Sequence, residues 1–153
     1  MARLAAVVAA LALLLGVTGA GPAPAMAQTA EGRYAAQAFT ATNANRVDEG
    51  LSALRKNKCL RRAAVRQATL MAQREELFHQ DLGAVLQECH LSSAGENVAA
   101  GYPNGTSVVN SGWMHSDGHR ANILNPAFTL MGIGARKGHN GRWYVAQVFG
   151  DKA

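Results

Sequence analysis

The sequence is poor in the residue patterns that mark the common metal and hydrolase sites. It has only two cysteines, Cys59 and Cys89, and no CxxC spacing accompanies them, which argues against a structural zinc site. No H-E-x-x-H pattern and no G-x-S-x-G elbow occur, so the usual zinc proteases and α/β-hydrolases have no signature here. The basic residues are not interleaved with aromatic ones, which make up only 6% of the chain. Nucleic acid is therefore not an expected partner.

Long apolar runs are also scarce. The sequence has one, near the start of the chain. It extends from Leu4 to Val17 after Arg3, and small residues ending in Ala25-Met26-Ala27 follow it. This is the pattern of a signal peptide, predicted over residues 1–27 with cleavage after Ala27. The run is shorter than the roughly 20 apolar residues that a transmembrane helix needs. We expect a secreted or extracytoplasmic protein with no transmembrane segment after cleavage, the alternative being an uncleaved anchor.

The remaining length suits one compact domain. Residues 28–37 are small and polar, which predicts a flexible lead-in, and the domain is expected over residues 38–153. In an exported chain two lone cysteines predict a Cys59–Cys89 disulfide. A metal-ligand role for the two thiols is the less favoured alternative.

Apolar periodicity and turn residues divide the domain into helices followed by strands. The segment of residues 80–93 is expected to be a tethered loop with one short helical turn at most, and residues 119–124 a compact turn or short helix. A mixed order of this kind predicts an α+β fold whose helices cover an antiparallel sheet. The predicted helices are Ala38–Arg55, Cys59–Phe78 and Thr106–His115, and the predicted strands are Gly95–Gly101, Phe128–Arg136 and Trp143–Phe149.

The chain carries a formal net charge of +5, and its cations are scattered except for one cluster. A solvated helix face is the plain interpretation of this cluster. An anionic partner such as a cell-wall polymer or a lipid headgroup is the alternative. The cluster comprises Arg55, Lys56, Lys58, Arg61, Arg62 and Arg66.

Two histidines and one glutamate form the candidate constellation. Glu96 lies in an apolar strand, where an ionised carboxylate must find a partner or line a cleft. Together with His79 and His119 it could bind a divalent metal, act in acid–base chemistry, or form a buried hydrogen-bond network. Asn43 and Arg46, three residues apart on one helix face, are assigned to a structural network, the alternative being one wall of a cleft.

An ordered series of short motifs resembles the CAP superfamily, also called the SCP domain, in its bacterial secreted branch. The motifs are Asn43-x-x-Arg46 with Gly50-Leu51, Phe78-His79, Gly95-Glu96-Asn97, Trp113-x-x-Ser116-x-Gly118-His119-Arg120-x-Asn122-Ile123-Leu124 and Gln147-Val148-Phe149. The resemblance implies a three-layer α-β-α sandwich with a central antiparallel sheet and a large open cleft.

The resemblance also implies a ligand set, which this sequence matches in part. His79 and Glu96 occupy the positions of the first histidine and first glutamate that line the cleft in animal and plant members. Ser116 and Tyr144 replace the second glutamate and the second histidine, while His119 belongs to the bacterial motif. We therefore expect these five residues to line the cleft. No cofactor is required, and a divalent ion such as zinc or magnesium would bind only weakly, through His79 and His119.

Three functions follow from these expectations. The favoured one is a monomeric, non-enzymatic module that binds a lipid-like or sterol-like ligand, or a cell-envelope or host component. The second is a metal-assisted hydrolase, a protease or esterase, with Glu96 or His79 as the catalytic base. The third is an exported scaffold whose polar cluster only holds the fold together.

Overall fold

The computed structural model describes residues 28–152. The predicted signal peptide over residues 1–27 and its cleavage after Ala27 lie outside these described residues. Between residues 28 and 152, no helix combines the length and apolar character needed to cross a membrane.

The described part of the chain folds into helices that surround a small sheet. Residues 105–115 form one helical segment, which begins as an α-helix, continues as a π-helical turn and ends as a 3-10 turn. The helices are α1 (Ala30–Asp48), α2 (Lys58–Arg74), α3 (Leu82–Cys89), α4 (Gly105–Ser107) with its π-helical turn (Val108–Gly112) and 3-10 turn (Trp113–His115), and α5 (Asp117–Ile123).

The sheet has four strands in the order β1-β3-β4-β2. The three long strands pair in antiparallel fashion, and the two-residue β1 adds a parallel edge to β3. Strand β4 lies centrally and pairs with both β2 and β3. The strands are β1 (Arg55–Lys56), β2 (Ser93–Ala100), β3 (Leu130–Lys137) and β4 (Trp143–Asp151).

Each face of the sheet packs against its own hydrophobic core, which gives the expected three-layer sandwich. Because side chains alternate along a strand, Val145 and Phe149 of β4 join the core beneath α1 and the helical segment 105–115. Tyr144 and Val148 join the second core, beneath α2 and α3. The predicted α+β sandwich is confirmed.

The backbone of helix α2 packs directly on the backbone of β3, because Gly132 and Gly134 have no side chain to keep the two apart. A Cβ atom added at Gly132 would stand 2.1 Å from the backbone nitrogen of Arg61, and one at Gly134 would stand 2.4 Å from the carbonyl carbon of Ala64. The alanines of α2 that face the sheet, Ala63 among them, are fully buried.

Three predicted boundaries differ from the structure. The expected flexible lead-in is helical from Ala30 onward, because the Thr29 hydroxyl accepts a hydrogen bond from the Gly32 amide and caps α1. Helix α1 ends at Asp48 rather than Arg55, shortly before Gly50, whose φ is +76°. The predicted second helix ends at Arg74, because Glu75 adopts a left-handed conformation, so His79 lies in a loop.

The segment of residues 80–93 also differs from its expected loop. It contains α3, which begins after Asp81, whose carboxylate accepts hydrogen bonds from the amides of Gly83 and Ala84. The predicted Cys59–Cys89 disulfide is present and links α2 to α3, with the two Cα atoms 5.6 Å apart. It therefore holds the last helix before β2 onto the helix that covers the sheet.

Removing this disulfide should destabilise the fold without changing it. In the double variant Cys59→Ser/Cys89→Ser, the free energy of unfolding should fall by about 3 kcal/mol, because the unfolded chain regains the freedom of a 30-residue loop. Urea unfolding of both proteins under oxidising conditions measures this difference. If dithiothreitol destabilised the double variant as much as the wild type, the loss could not be ascribed to the disulfide.

Candidate functional site

The site is built around Glu96, in the middle of β2. Its backbone stands opposite Val148 of the central strand, and its side chain is only 1% exposed. Both oxygens of this buried carboxylate need donors. They are supplied by the loop between α2 and α3, which the left-handed turn at Glu75 directs toward β2.

Two consecutive residues of that loop bind Glu96. His79 Nδ1 lies 2.8 Å from Oε2, the Gln80 amide donates to the same oxygen at 3.2 Å, and the Gln80 side chain donates to Oε1. The His79 side chain is 58% exposed. Since Nδ1 faces the carboxylate, Nε2 is the ring nitrogen left for a ligand.

His119, on α5, is the second imidazole of this region. Its pKa is lowered, first because partial burial disfavours the charged ring and second because of the positive charge of His79. His119 therefore stays neutral at lower pH than an ordinary histidine does.

Amide side chains position α5 against the sheet. Asn122 donates to the Glu96 carbonyl and to Asn97 Oδ1, and Asn97 donates to the His119 carbonyl and to Gln147 Oε1. Gln147 in turn donates to the hydroxyl of Thr42 on α1 at 2.7 Å. These hydrogen bonds give Asn97, Asn122 and Gln147 a structural role.

Arg46 holds the other end of α5. Its side chain is buried and donates to the carbonyl oxygens of Ser52, Ile123, Asn125 and Phe128. Burial lowers the pKa of this guanidinium. Its helix neighbour Asn43 exchanges two hydrogen bonds with the backbone of Leu54, so the predicted structural pair of Asn43 and Arg46 is confirmed.

Three of the five predicted cleft residues, Ser116, His119 and Tyr144, make no hydrogen bond to the His79–Glu96 pair. Ser116 is half-buried just before α5, where its side chain makes no capping hydrogen bond. Tyr144 is 1% exposed and receives a hydrogen bond from Asn140. It stands on β4 four residues from Val148, or about 13 Å along the strand from Glu96. The structure thus brings His79, Glu96 and His119 into one region and places Tyr144 in the core.

The residues of this region do not fit a tight divalent-metal site. Zinc takes three or four His, Cys or carboxylate ligands, whereas within residues 28–152 no group of three such residues is placed to hold an ion. The Glu96 oxygens already accept hydrogen bonds from His79 and Gln80. Weak binding through His79 and His119 stays a prediction.

Gln80 is the residue that the sequence did not identify. It supplies two of the hydrogen bonds to Glu96, one from its backbone and one from its side chain. The one available signal is its position directly after His79. A glutamine in a loop carries no spacing pattern that distinguishes it from a solvated polar residue.

Together, the fold and this region define an α-β-α sandwich domain in which a buried glutamate of the central sheet holds an exposed histidine. A family model described as the cysteine-rich secretory protein family, CAP, matches residues 39–149, and the chain belongs to this family. The family assignment expected from the motifs is therefore confirmed.

Several similar proteins come from bacteria. The chain is 35% identical over 108 residues to the Bacillus subtilis protein YkwD, described as uncharacterized, covering 66% of this chain and 42% of YkwD. An extracellular protein from Bacillus anthracis that contains an SCP domain matches with 29% identity and a TM-score of 0.69 over 80% of this chain and 41% of that one. A cysteine-rich secretory protein from Staphylococcus aureus matches with 25% identity and a TM-score of 0.69, over 80% and 40% of the two chains. The chain thus spans about two fifths of each of these relatives.

Proposed function

We propose that this chain is an extracytoplasmic binding domain without a catalytic step of its own, and that it contacts its ligand through His79. The ligand class is a lipid-like or sterol-like molecule, or a component of the cell envelope or of a host. The proposal that this domain acts outside the cytoplasm is supported by the Bacillus anthracis relative, which is described as extracellular.

The observation that carries the proposal is the contrast in exposure between Glu96 and His79. A carboxylate with 1% of its side chain exposed cannot meet a ligand, whereas an imidazole that is 58% exposed can. Glu96 fixes the ring by its bond to Nδ1, which lowers the entropy that the histidine loses when a ligand binds. Glu96 is therefore a positioning residue and His79 the contact residue.

The loop around His79 also offers apolar surface. Leu77, two residues earlier, is 52% exposed, and Phe78 is half-buried with the Arg74 guanidinium over its ring. A polar nitrogen beside apolar side chains suits an amphipathic ligand, whose polar group meets the imidazole.

The alternative, a hydrolase, has a weaker basis in the geometry. A carboxylate-oriented histidine is the arrangement that a general base needs, and this one observation favours it. A nucleophile must also lie within hydrogen-bond reach of the base. In the described residues, the Ser116 hydroxyl has no hydrogen bond to either imidazole. The scaffold alternative requires that the exposed ring of His79 make no contribution beyond stability.

Substituting His79 should separate binding from stability. We expect His79→Ala to reduce the lipid or envelope component that co-purifies with the protein by about tenfold, at a loss of stability near 1 kcal/mol, because an exposed ring contributes little packing. Mass spectrometry of material extracted from equal amounts of purified protein measures the first quantity, and urea unfolding the second.

The matched control is His139→Ala, at the exposed hairpin between β3 and β4. It should retain the wild-type amount of bound material. If the wild type, His79→Ala and His139→Ala retained equal amounts of bound material, the proposed ligand contact through His79 would be refuted. Turnover of peptide or ester libraries by the wild type, lost in His79→Ala and Glu96→Gln, would favour the hydrolase instead.

A further inference from the structure

The end of α2 that lies far from His79 carries a group of exposed cations. The name "basic corner" denotes Arg55 and Lys56 of β1 together with Lys58 and Arg61 of the first turns of α2, all of them exposed. We propose that the basic corner binds a linear polyanion of the cell envelope, a polymer that carries repeated phosphate groups.

The charges of the basic corner have no acidic partner among residues 28–152. The ion pairs in that part of the chain involve Arg66, His79 and Arg120 instead. Arg62, the next cation on α2, is close enough to Glu88 to help lower the pKa of that carboxyl, after the larger effect of Arg66. Glu88 is already paired with Arg66, and Asp151 lines the second of the two cavities described next.

Two adjoining cavities meet at the basic corner and share Lys56 and Asn57. One, of about 430 Å³, is also lined by Lys58 and Arg61 together with apolar residues of α1 and β3, and the other, of about 380 Å³, by Arg55. Together they form a path from α2 across β1, the edge strand of the sheet. A path with cations along its length fits an extended chain better than a single ion.

Two other charged residues line the second cavity. Lys152 adds a fifth cation, and Asp151 adds one carboxylate, which accepts a hydrogen bond from the Thr129 hydroxyl. The balance along the path is thus strongly positive. The path lacks exposed aromatic rings for stacking bases, since its aromatic side chain, Phe39, is half-buried with the Lys56 ammonium 5.2 Å from the ring centroid. This favours a polymer of phosphates over a single-stranded nucleic acid.

The placement of these cations costs stability in the free protein. Lys58 and Arg61 are three residues apart on one helix face and repel each other. They also stand in the first turns of α2, where the helix dipole disfavours positive charge, and the first turn has no acidic residue. A bound polyanion would relieve both effects. Binding and stability should therefore respond in opposite directions to loss of a cation here.

The test uses the protein from Gln28 onward and two probes, long-chain inorganic polyphosphate and orthophosphate. We expect wild-type protein to bind polyphosphate far more tightly than orthophosphate at equal total phosphate, and affinity to fall steeply as salt increases. Arg61→Glu should weaken polyphosphate binding by about tenfold and leave the melting temperature unchanged or higher. Fluorescence anisotropy of labelled polyphosphate and thermal unfolding are the measurements.

The control is Arg142→Glu, which makes the same change in charge at an exposed position in the turn before β4. It should leave affinity within about twofold of the wild type. An equal loss in both variants would overturn the proposal, because net charge alone would then explain binding. Binding to phosphatidylglycerol vesicles without binding to polyphosphate would overturn it in favour of a lipid surface. Since α2 separates the basic corner from His79 by about 25 Å of helix, Arg61→Glu should not affect the ligand of His79.

Discussion

Replacing Arg46 with methionine should lower the free energy of unfolding by about 4 kcal/mol, or the melting temperature by about 12 °C. The guanidinium is buried and donates to four backbone carbonyls, those of Ser52, Ile123, Asn125 and Phe128. Methionine fills much of the same space and donates no hydrogen bond. The cost is therefore that of buried acceptors left without donors, rather than that of a cavity.

Urea unfolding followed by circular dichroism measures this effect, and two variants define its origin. Arg46→Lys keeps the charge and loses the planar fork, so it should fall between the wild type and Arg46→Met. Arg142→Met removes an exposed arginine and should change stability by no more than about 0.5 kcal/mol. A loss below about 1 kcal/mol in Arg46→Met would contradict the view that Arg46 secures the segment between α5 and β3.

The second large effect is expected for Gly132→Ala, with a loss of about 4 kcal/mol. A Cβ atom at this position would lie 2.1 Å from the backbone nitrogen of Arg61 and 2.2 Å from the carbonyl carbon of Leu60. Overpacking usually costs about 1–3 kcal/mol, and the obstacle here is backbone, which cannot relieve the clash by changing rotamer. Helix α2 must then move away from β3, which opens the core that it covers.

The same substitution at Gly118 provides the control. A Cβ atom at Gly118, in α5, would have no heavy-atom neighbour within 4 Å beyond the adjoining chain. Gly118→Ala should be neutral or raise stability by up to about 1 kcal/mol, because alanine favours the helix. Comparison of the two variants by differential scanning calorimetry isolates the packing effect. Similar stability in both would mean that α2 can shift at little cost.

Much of the fold could be predicted because long elements carry strong local patterns. The segment 128–136 alternates, and the segment 143–149 is rich in aromatic and β-branched residues. Gly138-His139-Asn140-Gly141 separates them, and the two strands form a β-hairpin in the structure. The predicted start of α1 was wrong because the buried face of this helix mixes alanine with Thr42 and Arg46, which gives little apolar periodicity. Ala38 is fully buried, and the backbone of Tyr34 and Ala38 packs directly on Gly105. This contact connects residues about 70 positions apart, and no local pattern encodes it.

The sequence indicated which residue types belong to the candidate site better than it indicated how they are arranged. A glutamate in an apolar strand requires a partner, and this requirement correctly singled out Glu96. Its partner could not be derived from spacing, because His79 lies in a loop whose path depends on the left-handed turn at Glu75. Strand alternation places Tyr144 on the same sheet face as Glu96 but does not indicate how deeply the Tyr144 side chain is buried. The burial of the phenol ring depends on how α2 packs over the sheet.

The position of β4 in the sheet has a consequence for how the protein is made. This strand is the last element of the described chain, yet it is the one that pairs with both β2 and β3. A growing chain that ends before Trp143 therefore has neither of its long antiparallel ladders, and Thr42 still lacks Gln147, a partner 105 residues further on. The sheet can assemble only after residues 143–151 have been synthesised, so the fold described for residues 28–152 cannot form before this strand has been made.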